Sequence, residues 1–415
     1  MQVLWRSLGA VVFASAAFGG PLPTEATPVA GKIMVATQLA GTTAGLKDWT
    51  VGFRSRALAA GISAATFDAA FQGVSYSPDV IAKDRNQSEF TKTIWEYLDS
   101  AASDDRIENG KKALRQNRAV LDRIEATYGV DKEIVTAVWG LESAYGTFRG
   151  DYPLIGSLAT LAYDGRRGAF FEQQLVAALR ILQNGDTTAA TMTGSWAGAM
   201  GHTQFIPTSY LTFAVDFTGD GKRDIWSDDP TDALASTAAY LAKSGWQKGA
   251  PWGVEITLPP GYEYSISGER VKKPVSAWQA LGVRRVDGAA LPDHGMASVL
   301  LPAGARGAAF LIFANFQVIE KYNTADAYVI GVGHLADRIK GGPAIAASWP
   351  RDLRALVLTE RIELQQRLTA AGIDPGAVDG KIGPNTIAAV KAYQKTVGMV
   401  PDGYPSLEIL TLLHR

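Results

Sequence analysis

The 415-residue chain is predicted to be mainly α-helical, an α+β protein whose helical body carries a small β insertion and is followed by a small three-helix C-terminal domain. Three observations predict this. Apolar residues recur with helical spacing over most of residues 46–345. Between residues 250 and 314 the pattern changes to short alternating runs bounded by Gly- and Pro-rich turns. From Gly341-Gly342-Pro343 to Trp349-Pro350 the Gly and Pro content marks a linker, residues 346–357 completing it. The unit that follows has about sixty residues, near the lower size for a free-standing fold.

Composition bounds the function. The hydrophobic fraction is 47%, with 10 Trp, 14 Tyr and 15 Phe, enough core for roughly two to three domains. A net charge of -1 does not indicate a nucleic-acid partner. The absence of cysteine excludes disulfides, thiolate catalysis and cysteine zinc sites. Residues 1–45 read as a signal peptide and flexible lead: Arg6, an apolar run over residues 8–18, and the small residues Ala14-Ser15-Ala16. The run is too short for a comfortable membrane span, and without cysteine no lipid can be attached there. A soluble, periplasmic protein is expected.

The elements follow in order. Phe53, Ala57 and Ala60 share a helical face, and Gly61-Ile62-Ser63 is a stop followed by a new N-cap. Residues 79–87 are polar and are expected to form a loop. Phe90, Ile94, Tyr97 and Leu98 predict a further helix, and Leu114, Val120, Leu121 and Ile124 continue the pattern. The organising stretch is residues 134–146. Ile134, Val138 and Leu141 recur at i, i+4 and i+7, Asp131 occupies the N-cap position after Gly129, and Gly140 and Gly146 bracket Glu142. Glu142 therefore lies at or beside the apolar stripe. A carboxyl held against an apolar wall keeps its proton to higher pH, as a proton donor near neutrality must. A buried Glu paired with an Arg is the other reading of the same position.

Leu154, Ile155, Leu158 and Leu161 form the next helix. A basic turn at Arg166-Arg167 separates it from a helix through Phe170, Phe171, Leu175 and Leu182. Two arginines between buried helices are either solvated or clamp a carboxylate. Residues 194–207 are loop-like and rich in small residues, with Ser195 and Gln204 as groups able to hydrogen-bond a ligand; His202 reads as structural. Residues 216–224 place Asp216, Thr218, Asp220 and Asp224 at positions 1, 3, 5 and 9 of a calcium-type loop, with Gly221 at position 6 and Lys222 supplying a backbone carbonyl at position 7. Ser227 stands where a bidentate Glu belongs, so Asp232 is the candidate late carboxylate. Ca2+ or Na+ in a structural role is expected there. Residues 233–243 are helical. Strands are expected at residues 254–258, 298–301 and 309–313, and helices resume with Phe316 and run to Ile339 past Tyr322, Asn323 and Tyr328. In the last unit, Asp379-Gly380 and Pro401-Asp402-Gly403 are two similar turns, each leading into a helix.

Three of these segments resemble one family. Gly140-Leu141-Glu142-Ser143, residues 197–207, and Lys321-Tyr322-Asn323 with Tyr328 are similar, in this order, to the lytic murein transglycosylases of the membrane-bound transglycosylase B type. Residues 358–415 resemble the common peptidoglycan-binding domain through Leu364-Gln365, Asp379-Gly380, Gly383-Pro384-Asn385-Thr386 and residues 390–394. The resemblance implies a lysozyme-like catalytic domain over residues 46–345 that cleaves the MurNAc–GlcNAc β-1,4 bond without water, leaving a 1,6-anhydro sugar, with no cofactor required for the chemistry. It implies Glu142 as acid and then base, Ser195 as its hydrogen-bond partner, and Met200, Gln204, Tyr322, Asn323 and Tyr328 along the sugar subsites. Arg166 and Arg167 would meet a peptide or lactyl carboxylate. Glycan strands of peptidoglycan are the implied partner, with other cell-wall enzymes as further candidates. Two other functions fit parts of the chain: a lysozyme-type hydrolase, with Asp164 as second carboxylate, and a non-catalytic wall-binding protein.

Overall fold

The computed structural model describes residues 41–85 and 92–415; the expected signal peptide and Phe90 lie outside the described residues. Six helices lead to the central one: α1 (Thr43–Ala59), α2 (Ala64–Ala70), α3 (Pro78–Arg85), α4 (Ile94–Ala101), α5 (Asp104–Gln116) and α6 (Arg118–Tyr128). Their starts are read directly from side chains. Ser63 and Ser103 cap α2 and α5, and Thr93 with Glu96 forms a reciprocal capping box on α4. α3 corrects the expectation of a loop at residues 79–87 as far as Arg85. Its Val80 is fully buried and its Asp84 nearly so, so the polar sequence hides two inward positions.

The central helix α7 (Lys132–Ser143) packs against α5, α6, and two later helices, α11 (Thr231–Lys243) and α14 (Asp326–Lys340). Surrounded in this way, it is buried from Ile134 to Gly140 and again at Glu142 and Ser143. It is therefore buried on nearly every side, as a helix without a polar face should be. Gly140 is needed for close approach: a Cβ there would lie 2.6 Å from the Tyr145 ring. Between α7 and α11 come α8 (Leu154–Asp164), α9 (Gly168–Asn184) and the short α10 (Pro207–Phe213). A two-residue pairing of β1 (Tyr152–Pro153) with β2 (Thr193–Gly194) joins the segment after α7 to the start of the small-residue loop.

The insertion is an antiparallel sheet in the order β4-β6-β7-β3-β5, built from β3 (Gly253–Thr257), β4 (Lys273–Pro274), β5 (Arg284–Arg285), β6 (Met296–Leu300) and β7 (Ala309–Ile312). The short α12 (Val275–Ala280) supplies Trp278, fully buried at the centre of a separate apolar core with its indole N–H bonded to the Ala297 carbonyl. α13 (Ala314–Glu320) returns the chain to the helical body and leads into α14.

The Gly/Pro-rich segment before the last unit is tied down at both sides. Ala346 and Ala347 N–H groups donate to Glu255 of the insertion, while Arg351 forms a bidentate pair with Asp99 and Trp349 packs on Trp95 of α4. The last unit consists of α15 (Leu358–Ala370), α16 (Pro384–Thr396) and α17 (Leu407–Leu412) around a small core of its own. Its two turns are held alike. Gln365 accepts from Gly380 N–H and Gln394 accepts from Gly403 N–H. α16 docks on the insertion through Lys391, whose ammonium donates to the carbonyls of Tyr264 and Ser267.

Candidate active site

The site forms where α7, α13–α14 and the loop of residues 194–207 meet. Glu142 is 6% exposed. Its Oε1 accepts from the Tyr328 hydroxyl at 2.6 Å, and its buried Oε2 has no partner among the described residues. Burial pushes its carboxyl up to about 8, and the Tyr328 hydrogen bond only partly opposes this. Of the two readings of Glu142, the geometry favours the lone acid: among the described residues no arginine or lysine shifts it, and burial favours its neutral form. No second carboxylate contributes to its titration either. Asp164, the candidate for that role, is ion-paired with Arg85 at 2.7 Å.

Tyr322 and Tyr328 stand in parallel, their ring centroids 6.5 Å apart. The Tyr322 hydroxyl donates to the Thr203 carbonyl at 2.6 Å, so α13–α14 and the small-residue loop are joined beside the acid. Asn323 is buried, and its Oδ1 accepts from Ala325 N–H, shaping the turn that brings Tyr328 round to Glu142. Tyr97 on α4 is a further neighbour: the Glu142 charge adds to burial in raising its hydroxyl. Its sequence context, an apolar position on an amphipathic helix, gave no signal separating it from core.

The loop is held by the residues expected to touch ligand. Ser195 Oγ accepts from Ala199 N–H at 3.0 Å, a loop-closing bond in place of the expected bond to Glu142. Gln204 donates to the carbonyls of Gly201 and Arg149 at 2.8 and 3.0 Å and adopts a left-handed φ of 55°. Met200 is fully buried, which corrects its placement along a sugar subsite: its backbone pairs with Phe205 while its side chain fills the core. Gly201 shows why the loop needs small residues, since a Cβ there would collide with the Ile225 carbonyl.

Arg166 and Arg167 do clamp a carboxylate, but it belongs to the chain itself. Both guanidinium groups reach the buried Asp84 at 2.6–2.7 Å and hold its carboxyl below the usual range against the pull of burial. The expectation that they meet a ligand carboxylate is corrected accordingly, because the sequence cannot show a partner eighty residues away.

The 216–224 loop has the expected shape. Asp216 accepts from Gly219, Asp220 and Gly221 N–H groups and from Thr218 Oγ1. Asp220 accepts from Lys222 N–H. Asp232, at the start of α11, turns into the loop, accepting from Phe217, Thr218 and Asp224 N–H groups. Carboxylate oxygens of Asp216, Asp220 and Asp232 lie within 4.8 Å of one another. An all-oxygen donor set of three carboxylates fits a hard cation. Asp224 is turned away, accepting from Trp226 and Ser227 N–H groups.

Among the described residues no helix is long and apolar enough to cross a membrane. Residues 45–337 match the Transglycosylase SLT domain family, and residues 358–413 match a peptidoglycan binding domain. Membrane-bound lytic murein transglycosylase B of Escherichia coli (strain K12) is 32% identical over 252 residues, a match covering 59% of this chain and 66% of that protein. The crystal structure of SltB3 from Pseudomonas aeruginosa in complex with NAG-anhNAM-pentapeptide superposes with a TM-score of 0.87 at 51% identity, covering 89% of this chain and 99% of that one. The structure of the Escherichia coli lytic transglycosylase Slt35 in complex with calcium gives a TM-score of 0.60 at 28% identity over 71% of this chain and 92% of that one. Glu142, buried and bonded to Tyr328, thus sits in a lysozyme-like body, and the chain belongs to the Transglycosylase SLT domain family.

Proposed function

We propose that the chain is a lytic transglycosylase that cleaves the MurNAc–GlcNAc β-1,4 bond of peptidoglycan, with Glu142 as its single acid–base group. The observation that carries this reading is a lone buried carboxyl, held by Tyr328 on one oxygen and without a partner among the described residues on the other. Oε2 is the atom suited to face the glycosidic oxygen.

In the first step the protonated Glu142 donates to the oxygen leaving C1 of MurNAc, and the C1–O bond breaks. The substrate's N-acetyl oxygen meets the positive charge at C1, as in the substrate-assisted exceptions to two-carboxylate catalysis. In the second step the C6 hydroxyl bonds to C1 and returns its proton to Glu142, giving the 1,6-anhydro product. Atoms balance without water. Tyr328 keeps the carboxyl oriented through both steps, and its hydrogen bond strengthens when the acid is transiently ionised. The anhydro sugar ligand of the SltB3 complex supports this outcome. A hydrolase would need a second carboxylate roughly 5–9.5 Å from the first; Asp164, paired with Arg85, is poorly placed to serve.

The C-terminal domain would bind the same polymer, consistent with its family match. Asp216, Asp220 and Asp232, with Thr218 and the Lys222 carbonyl, would hold Ca2+ as a structural ion; the calcium complex of Slt35 supports this. The ion would cross-link the loop to α11 and take no part in bond cleavage. A polymer substrate of this kind places the protein in the periplasm or at the cell wall.

Glu142→Gln tests the assignment. The variant should fold as the parent does and release no muropeptides from purified sacculi. Release at the parental rate would overturn the role given to the acid.

A further inference from the structure

Glu142 lies between two residues of α7 that are both bonded to one histidine. The Trp139 indole N–H donates to His202 Nδ1 at 3.1 Å, and Ser143 Oγ donates to the His202 carbonyl at 2.5 Å. Beyond the helix end, Gly146 lets the imidazole pack closely: a Cβ there would lie 2.6 Å from Nδ1. The other ring nitrogen, Nε2, is 2.7 Å from the Ser227 carbonyl. An indole N–H only donates and a carbonyl only accepts. Nδ1 is therefore bare and Nε2 carries the proton, a single neutral tautomer set by two partners.

The charged groups facing the ring are Arg149, Asp228 and Asp224. Arg149 Nη1 approaches Nε2 at 3.2 Å, but donates to the Trp226 and Ser227 carbonyls at 2.9 and 2.6 Å, while Nη2 pairs with Asp228. Burial, and secondarily Arg149, hold the imidazole below its ordinary range.

Backbone strain gathers at the same joint. Among the described residues, Ala144, Tyr145 and Gln204 are the non-glycine residues with positive φ, at 49°, 59° and 55°. Two directly follow α7 and the third lies two residues after His202. Such conformations persist where the surroundings over-determine them.

We propose that His202 is a positioning residue for the reaction: by clasping Trp139 and Ser143 it fixes the end of α7 and holds Glu142 in register with Tyr328. This rests on the reading of Glu142 as the acid. A second proton on His202 would convert Nδ1 from acceptor to donor, opposing the Trp139 N–H and opening the Trp139 side of the clasp, while the Ser143 bond to the main-chain carbonyl stays. The alkaline limb of the pH profile then belongs to Glu142, and the acid limb to His202.

The experiment uses the full chain and soluble glycan strands, with kcat and KM measured from acid to alkaline pH for the parent, His202→Phe, His202→Gln and Glu142→Gln. His202→Phe should lower kcat between about tenfold and about a hundredfold with KM unchanged, the cost of displacing a catalytic group. His202→Gln, which can accept and donate but does not titrate, should restore most of kcat and abolish the acid limb while keeping the alkaline one. A Gln variant that retains the parental acid limb would overturn the proposal, even if the Phe variant does not fold. A folded Phe variant with parental kcat would do the same. A dead Glu142→Gln beside an unaffected His202→Phe condemns only the proposal for His202, whereas an active Glu142→Gln condemns the acid assignment itself.

Discussion

The Tyr328 hydroxyl donates to Glu142 Oε1 at 2.6 Å across the packed faces of α14 and α7. This bond favours the ionised carboxyl and opposes the upward push of burial. Tyr328→Phe removes the opposition. A hydrogen bond to a charged group contributes about 1.5–3 kcal/mol, so the alkaline limb of kcat should move up by roughly one to two pH units. Turnover at the optimum should fall by about tenfold or more as the carboxyl loses its orientation. A pH–rate profile checks both, and an unmoved alkaline limb would show that the bond does not set the acidity.

Glu142 also links stability to pH. Its folded-state value, about 8, lies above the ordinary carboxylate value of 4.5. The folded chain therefore holds a proton that the unfolded chain releases, and this contribution is full at low pH and lost as pH rises through about 8. Glu142→Gln has no such proton to lose. Its melting temperature should exceed that of the parent, with the gap widening from weakly acidic to alkaline pH. In free energy the gap grows by roughly 1.4 kcal/mol for each pH unit climbed between the unfolded and folded values. Calorimetry at several pH values measures it; a pH-independent difference would contradict the burial of an ionisable acid.

For the oxygen cluster of Asp216, Asp220 and Asp232, an ion bound only by the native state stabilises by about 2.7 kcal/mol at a hundred times its dissociation constant. Added Ca2+ should therefore raise the melting temperature, chelation should lower it, and Asp232→Asn should blunt both responses. The Glu142 pH profile should be unchanged. A melting temperature indifferent to Ca2+ and to chelator would leave the loop as a hydrogen-bonded turn.

The docking of the last unit depends on Lys391, which donates at 2.6–3.1 Å to the carbonyls of Tyr264 and Ser267 and to Ser267 Oγ. Lys391→Met leaves these acceptors without their donor, at a cost of about 1–3 kcal/mol. Hydrogen exchange should quicken at residues 264–268 while α15 and α17 remain protected. Unchanged exchange there would mean that Asp402 on Ala305 and Asn385 on Arg270 suffice.

Much of the architecture was legible because its causes are local. Ser63 caps α2 where its side chain can, Gly129 ends α6 at φ 67°, and the expected runs at residues 254–258, 298–301 and 309–313 supply β3, β6 and β7 of the sheet. α3 was missed because its stability is not local: Asp84 is buried on it only through Arg166 and Arg167. The same nonlocality misdirected those arginines toward a ligand. Glu142 stood out because a carboxylate on an apolar helix is anomalous in the sequence itself. Its tyrosine partners did not, since a helical tyrosine in a core and one at a catalytic acid have the same pattern; family resemblance, not periodicity, singled out Tyr328 and passed over Tyr97. Met200 shows the converse, a motif residue whose place in the sequence reflects packing of the loop.

Mass analysis of the products released from purified sacculi tests the central claim most directly. A lone buried acid, with no second carboxylate acting on it among the described residues, predicts muropeptides ending in 1,6-anhydroMurNAc, one water lighter than hydrolysis products, and no incorporation of labelled oxygen from solvent water. Reducing-end MurNAc carrying solvent oxygen would contradict it.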